Sequence, residues 1–290
     1  MIKTLLVPIA GSDSDWAVLT TAQLIAKPLA AHIGFYHVRL SAGEAAARAP
    51  HVDFCVGPAL PKALAQLELQ EHQLSAAAAD HVKSFCAEQG IAIAQTPATA
   101  GSVTAAWLEE KDRASGRLMA HARHSDLIIL GRPRHDDYMP KLLVEDILVG
   151  SGRPIVIAPD SPRSAASLKT IVVGWKDTPE SARALGAAYP LLEAAEKVIL
   201  LHVADAGSSA SSALRELARQ LKWHGISAET RDIDAGSGPL PARLAEAAGQ
   251  VDADLLVIGA FGHSRLRELV FGGVTQSFLD HGDLPVFMMS

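Results

Sequence analysis

Cysteine is almost missing from this chain. There are two, Cys55 and Cys86, in 290 residues. They stand far apart with no CxxC spacing and no histidine partner at ligand distance, so neither a disulfide framework nor a zinc site is signalled. Two reduced thiols packed as small apolar groups are the expectation. Positive charge is also short: 26 Lys and Arg against 32 Asp and Glu leave a net charge of −6 and a pI near 6.0. A protein whose main partner is nucleic acid needs a basic face to neutralise phosphates, so that class is set aside. Long apolar runs are missing too. A mean hydropathy of +0.17 comes from alanine-rich stretches cut by charges. None reaches the roughly 18 to 20 apolar residues that cross a bilayer. Met1-Ile2-Lys3 leads directly into a strand pattern rather than into a secretory leader, and a cytoplasmic location without membrane association is expected. No Walker A lysine, no GxSxG elbow and no metal-binding pair can be read. No catalytic residue is assigned, and no dedicated enzyme activity is expected.

What the chain has instead is an internal repeat. Lys3-Thr4-Leu5-Leu6-Val7-Pro8 matches Lys169-Thr170-Ile171-Val172-Val173-Gly174, and in each copy a helical pattern leads to a second apolar run, ending at His37-Val38 and His202-Val203. Ser125-Asp126-Leu127-Ile128-Ile129-Leu130-Gly131 then matches Ala253-Asp254-Leu255-Leu256-Val257-Ile258-Gly259, and Pro154-Ile155-Val156-Ile157-Ala158 matches Pro285-Val286-Phe287-Met288-Met289. Four landmarks in one order imply duplication. The runs are short, β-branched or leucine-rich and without alternation, the pattern of strands covered on both faces. Helix-length stretches such as 181–196 and 211–223 separate them. Strand and helix in alternation predict a parallel sheet with right-handed crossovers, and so two tandem doubly wound, Rossmann-like α/β domains with mainly parallel five-stranded sheets. The domains are placed at residues 1–160 and 167–290. The first carries an insertion over residues 41–73, with the cluster Pro50-His51-Val52-Asp53-Phe54-Cys55. The boundary is the linker Asp160-Ser161-Pro162-Arg163-Ser164.

The chemistry-bearing motif follows the fourth strand of the second copy. Gly259-Ala260-Phe261-Gly262 is followed by nine residues and then Gly272-Gly273-Val274-Thr275. Glycines let the backbone approach a ligand closely, and N–H groups at the start of the next helix form an anion site. This motif resembles the GxxG, nine residues, G(S/T) signature of ATP-binding universal stress proteins, and the strand pattern around it covers nearly the whole chain in two copies. The resemblance implies a two-domain universal stress protein of the adenine-nucleotide-hydrolase-like fold. Such a protein is a cytoplasmic stress-response regulator that binds ATP, with a divalent ion such as Mg2+, in its second domain. It implies binding residues at Gly259, Gly262, Gly272, Gly273, Val274 and Thr275, with the backbone of Val203 meeting the adenine. It also implies pairing through the last strands, here an intramolecular pseudo-dimer, with a homodimer of chains and an unidentified protein partner left open. Gly273 departs from the family's Ser or Thr.

A second departure concerns the aspartate the family often carries after the first strand, where this chain has Ala10 and Lys176. An ammonium donates and cannot accept as a carboxylate does. Two readings of Lys176 stand: a point charge for phosphate, or, with Asp177, a solvated turn before a helix that begins near Pro179 under a Thr178 cap. His263 and Arg265 either bring cations to phosphate or solvate their loop. In the first copy the equivalent loop, Gly131-Arg132-Pro133-Arg134, has lost the second glycine. It reads as a mixed-charge surface loop and a degenerate nucleotide site. An alternative function stands beside the first: a nucleotide-independent interaction or scaffold protein in which both sites have decayed.

Overall fold

The computed structural model describes residues 1–41, 46, 59–96, 101–111, 114–133, 141–163, 167–202, 210–233, 238–260 and 273–290. The first half contains strands β1 (Thr4–Pro8), β2 (His32–Arg39), β3 (Ala92–Ile93), β4 (Thr104–Lys111), β5 (Leu127–Leu130) and β6 (Ile155–Ile157). Its helices are α1 (Asp15–Leu29), α2 (Ala59–Gln89), α3 (Ala114–His124) and α4 (Lys141–Gly150). The second half contains β7 (Thr170–Trp175), β8 (Lys197–His202), β9 (Ala228–Asp232), β10 (Leu255–Gly259) and β11 (Val286–Met289). Its helices are α5 (Pro179–Ala194), α6 (Ala210–Leu221), α7 (Leu240–Gly249) and α8 (Gly273–Asp280).

All eleven strands belong to one sheet, in the order β3-β4-β2-β1-β5-β6-β11-β10-β7-β8-β9. Reading outward from the middle, β6-β5-β1-β2-β4 is mirrored by β11-β10-β7-β8-β9. The duplication seen in the sequence is thus a pseudo-two-fold repeat of topology. The first half adds a sixth strand, the two-residue β3, to the five expected. Every neighbouring pair is parallel except the central one, where β11 runs antiparallel to β6 with Phe287 opposite Val156. The expected intramolecular pairing of last strands is present, and it removes two apolar sheet edges.

Because both faces are covered, the core has two layers. Leu5 and Val7 of β1, with Ile9 just beyond it, face the layer of α1, α2, α5 and α6, while Leu6 faces the side closed by α3, α4, α7 and α8. Both layers run continuously through the two halves.

One device recurs at the amino ends of the strands. Asp126 Oδ2 accepts the N–H groups of Lys3 (2.8 Å) and Thr4 (3.0 Å) and the Thr4 hydroxyl. Asp254 Oδ2 accepts those of Lys169 (2.8 Å) and Thr170 (2.9 Å) in the same way. The residue that opens the fourth principal strand of each half therefore pins the start of the first. Burial works to raise the Asp126 pKa, but the N–H groups of Lys3 and Thr4, the Thr4 hydroxyl and the charge of Arg153 together hold it below its ordinary value.

Of the segment read as an insertion, residues 59–73 form the first part of α2, a 31-residue helix whose buried side chains begin only at Ser75. The cluster at residues 50–55 lies outside the described residues. Cys86 is buried on this helix, where desolvation raises its thiol pKa, as expected of a packing group.

Candidate functional site

In a doubly wound sheet the ligand crevice opens at the carboxyl ends of the strands, where the strand order reverses. In the second half that point lies between β7 and β10, because the chain passes from β7 to β8 on one side and returns to β10 on the other. The register sets Ile258 beside Gly174, so Gly259 ends β10 beside Trp175, and Lys176 follows directly.

Local chemistry shapes the rim of this crevice. Thr178 is the N-cap of α5, accepting the Ser181 N–H at 3.3 Å, with Pro179 in the first turn. A Cβ on Gly259 would stand 2.5 Å from Ser181 N and 2.7 Å from the Glu180 carbonyl carbon, so only glycine lets the end of β10 pass this close to the start of α5. On the other side α8 begins at Gly273, which is exposed and where a Cβ would meet nothing within 4 Å. The amino ends of two helices and the carboxyl ends of three strands therefore share one edge of the sheet. Backbone N–H groups at such an edge suit an anion.

Among the residues singled out in the sequence, Lys176, Gly259, Gly273, Val274 and Thr275 are described, and Val203, Gly262, His263, Arg265 and Gly272 lie outside the described residues. Lys176 is half-buried and Asp177 exposed, with the Thr178 N–H donating to the Lys176 carbonyl at 2.8 Å. That is the capped turn, and Asp177 does not turn inward to supply a carboxylate. Thr275 is 3% exposed, which places the weight of any anion contact on the N–H groups of the first turn rather than on its hydroxyl. His202 ends β8 with its Nδ1 buried and without a hydrogen-bond partner among the described residues, while the equivalent His37 donates from Nδ1 to the Ile9 carbonyl at 2.8 Å. No group of three potential metal ligands occurs among the described residues.

The equivalent edge of the first half is built differently. Asp15, buried at the start of α1, accepts the N–H groups of Ala10 on Oδ1 and Gly11 on Oδ2 at 2.9 Å each, and His81 Nδ1 lies 2.9 Å from the same Oδ2. Gly11 has φ +84, and a Cβ there would lie 2.1 Å from the Leu74 carbonyl oxygen of α2. Glu71 of the same helix accepts the Leu40 N–H just beyond β2. So α2 closes over the ends of β1 and β2. The sequence pointed to Ala10 as a missing carboxylate, whereas the carboxylate that binds this loop stands five residues later and comes from within the chain.

Arg132 overturns an expectation. Read as part of a surface loop, it is 5% exposed and reaches into the second half. Its Nη1 donates to the Phe278 carbonyl at the end of α8, its Nη2 to the Leu284 carbonyl at 3.3 Å, and its Nε faces Asp160 Oδ1 at 3.6 Å. Desolvation lowers its pKa, and the carboxylates of Asp160, Asp283 and Asp280 oppose that shift. A lone arginine in a charged loop carries no signal of a partner about 146 residues away, so only the fold reveals it.

A second cluster was also unforeseen. The buried Tyr36 hydroxyl donates to Glu110 at 2.8 Å, with His121 Nε2 3.4 Å from the same carboxylate. Burial pushes the Glu110 pKa upward, yet these bonds and the nearby charges of His121 and Arg117 hold it below its ordinary value.

Comparison with known proteins agrees with the fold. Residues 167–290 match the model of the universal stress protein family. Over the whole chain the fold resembles the crystal structure of a universal stress protein from Archaeoglobus fulgidus DSM 4304. The TM-score is 0.67 and the identity 14%, over 99% of this chain and 98% of that one. Two Pseudomonas aeruginosa structures each give a TM-score of 0.54 over 99% of this chain. One, from strain UCBPP-PA14, bears the same family name (18% identity, 93% of that chain), and one, from strain PAO1, is of unknown function (17%, 92%). No curated protein matches the chain. Among the described residues no helix is long and apolar enough to cross a membrane.

Proposed function

We propose, from the match of residues 167–290 to the universal stress protein family, that this chain is a cytoplasmic regulatory protein that binds an adenine nucleotide, ATP with a divalent ion, in its second half. The observation that carries the proposal is the convergence at the β7–β10 switch point: a glycine that only a bare backbone can occupy, beside the open first turn of α8. The N–H groups of Gly273, Val274 and Thr275 hold the phosphates, and the loop from Gly259 through Gly262 to Gly272 wraps them. The backbone at Val203 meets the adenine. Lys176, His263 and Arg265 supply positive charge, and no residue is assigned a catalytic role. Occupancy alters contacts with a protein partner. The domains divide at residues 160 and 167, and the first, its crevice covered by α2, holds no nucleotide.

One observation favours a second reading, a nucleotide-independent interaction protein. Lys176 stands where a carboxylate would accept the nucleoside's hydrogen bonds, and Asp177 points to solvent.

Calorimetric titration of the nucleotide-stripped chain with ATP and magnesium separates the two, repeated on Gly262→Val. Saturable binding near one nucleotide per chain, abolished by the substitution, is the expected result. No heat and no thermal stabilisation at millimolar nucleotide would replace the first reading with the second.

A further inference from the structure

The two halves are not symmetric at their seam. In the second half the position equivalent to Arg132 is Ala260, buried and bonded through its N–H to the Met289 carbonyl. In the opposite direction, among the described residues, Ser290 Oγ donates to the Leu148 carbonyl near the end of α4. The cation that crosses here, Arg132, comes from the first half.

The surroundings of that cation form a built socket. Gly282 has φ +154, and a Cβ there would lie 2.7 Å from Arg132 Nη2, so glycine makes room for the guanidinium. The backbone on both sides is tied: Gly282 N–H donates to Asp160 Oδ2 at 2.9 Å, and Asp160 N–H donates to the Gly282 carbonyl at 3.0 Å. A planar guanidinium bridging two carbonyls and a carboxylate fixes orientation as well as distance. Its position at the last turn of α8 also places positive charge at the negative end of the helix dipole. An eight-residue helix is about 12 Å long, so a helix gripped at Phe278 has its first turn, Gly273 to Thr275, set by the same grip.

We propose that Arg132 is a cross-half positioning residue: the first half's degenerate loop fixes the helix whose first turn holds the phosphates in the second half. The inference rests on the nucleotide reading for its functional part, and on the clamp geometry alone for its structural part. It gives the first half a task although its own crevice is closed. It also makes the nucleotide site depend on the seam being formed.

The test uses the full chain and two readouts. Hydrogen exchange of the α8 amides, without nucleotide, reads the tether. Calorimetry with ATP·Mg and with adenosine reads its consequence. In Arg132→Gln, α8 exchanges about tenfold faster while α1 is unchanged, and ATP affinity falls about tenfold, in the usual range of coupling between sites. Adenosine affinity stays the same, since it bears no phosphate. Arg132→Lys retains charge but not the fork and restores only part of both. Should Arg132→Gln not fold, Asp160→Asn loosens the same socket more mildly, and the same directions are expected.

Unchanged α8 exchange in a folded variant overturns the inference, as does an equal loss of ATP and adenosine affinity. If the unsubstituted chain binds neither ligand, the nucleotide reading fails, and the exchange experiment still decides whether Arg132 holds α8.

Discussion

Single residues in this protein act through bonds to distant backbone. Asp126 and Asp254 are the clearest pair, each collecting two N–H groups at the start of its half's first strand. Both were visible as matched letters of the repeat, but nothing in the letters said what they hold. Replacing Asp126 by Ala removes three accepted hydrogen bonds and is expected to cost about 1–3 kcal/mol in denaturant unfolding. The sign of the pH dependence follows from the depressed pKa. The stabilisation is full above the unfolded carboxylate value and is lost as pH falls through the lower folded value. The difference in melting temperature between the native chain and Asp126→Asn should therefore shrink with acidification below about pH 4. A difference that grew instead would contradict the assignment.

Among the elements, α5 and α2 show how local and non-local causes divide. Thr178-Pro179 announces the start of α5 in the sequence, and the helix begins there with the cap formed. Thr178→Ala should lower stability by about 1 kcal/mol, measured by chemical denaturation. It should also weaken any ligand held at that rim. The position of α2 is another matter. Its long polar first part gives no pattern that would place it over the ends of β1 and β2, and it sits there because Gly11 accepts the Leu74 backbone at close range. Gly11→Ala combines that clash with an unfavourable φ of +84, so a destabilisation of about 1–3 kcal/mol and faster hydrogen exchange in α2 are expected. The loop after β10 was legible as a glycine motif. Of its described ends, Gly259 closes β10 and Gly273 opens α8.

Across the whole molecule, the antiparallel β6–β11 seam makes one sheet from two repeats. Val156 and Phe287 are directly opposed and fully buried, and both core layers pass through this point. Phe287→Ala should cost about 3–5 kcal/mol and, by weakening the joint, split a single unfolding transition into two. Calorimetric unfolding distinguishes the outcomes. A protease site placed at the exposed Ser161-Pro162 should, after cleavage, leave two fragments that still co-elute on size exclusion, because strand pairing and the Arg132 clamp both span the cut. Fragments that separate would show that the linker, and not the seam, joins the halves.

By itself the sequence determined the repeat, the strands and the parallel doubly wound class, because buried parallel strands must be uniformly apolar and their crossovers must be helical. It also located the glycine motif, of which Gly259 must be glycine because the end of β10 passes too close to the start of α5 for a Cβ. Tertiary structure alone decided three things. Asp15 and α2 bind the ends of β1 and β2. Arg132 leaves the surface for a socket in the other half. The two sheets become one. Each depends on groups brought together from remote positions, and a charge or a short apolar strand carries no local mark of which distant carbonyl or edge will meet it.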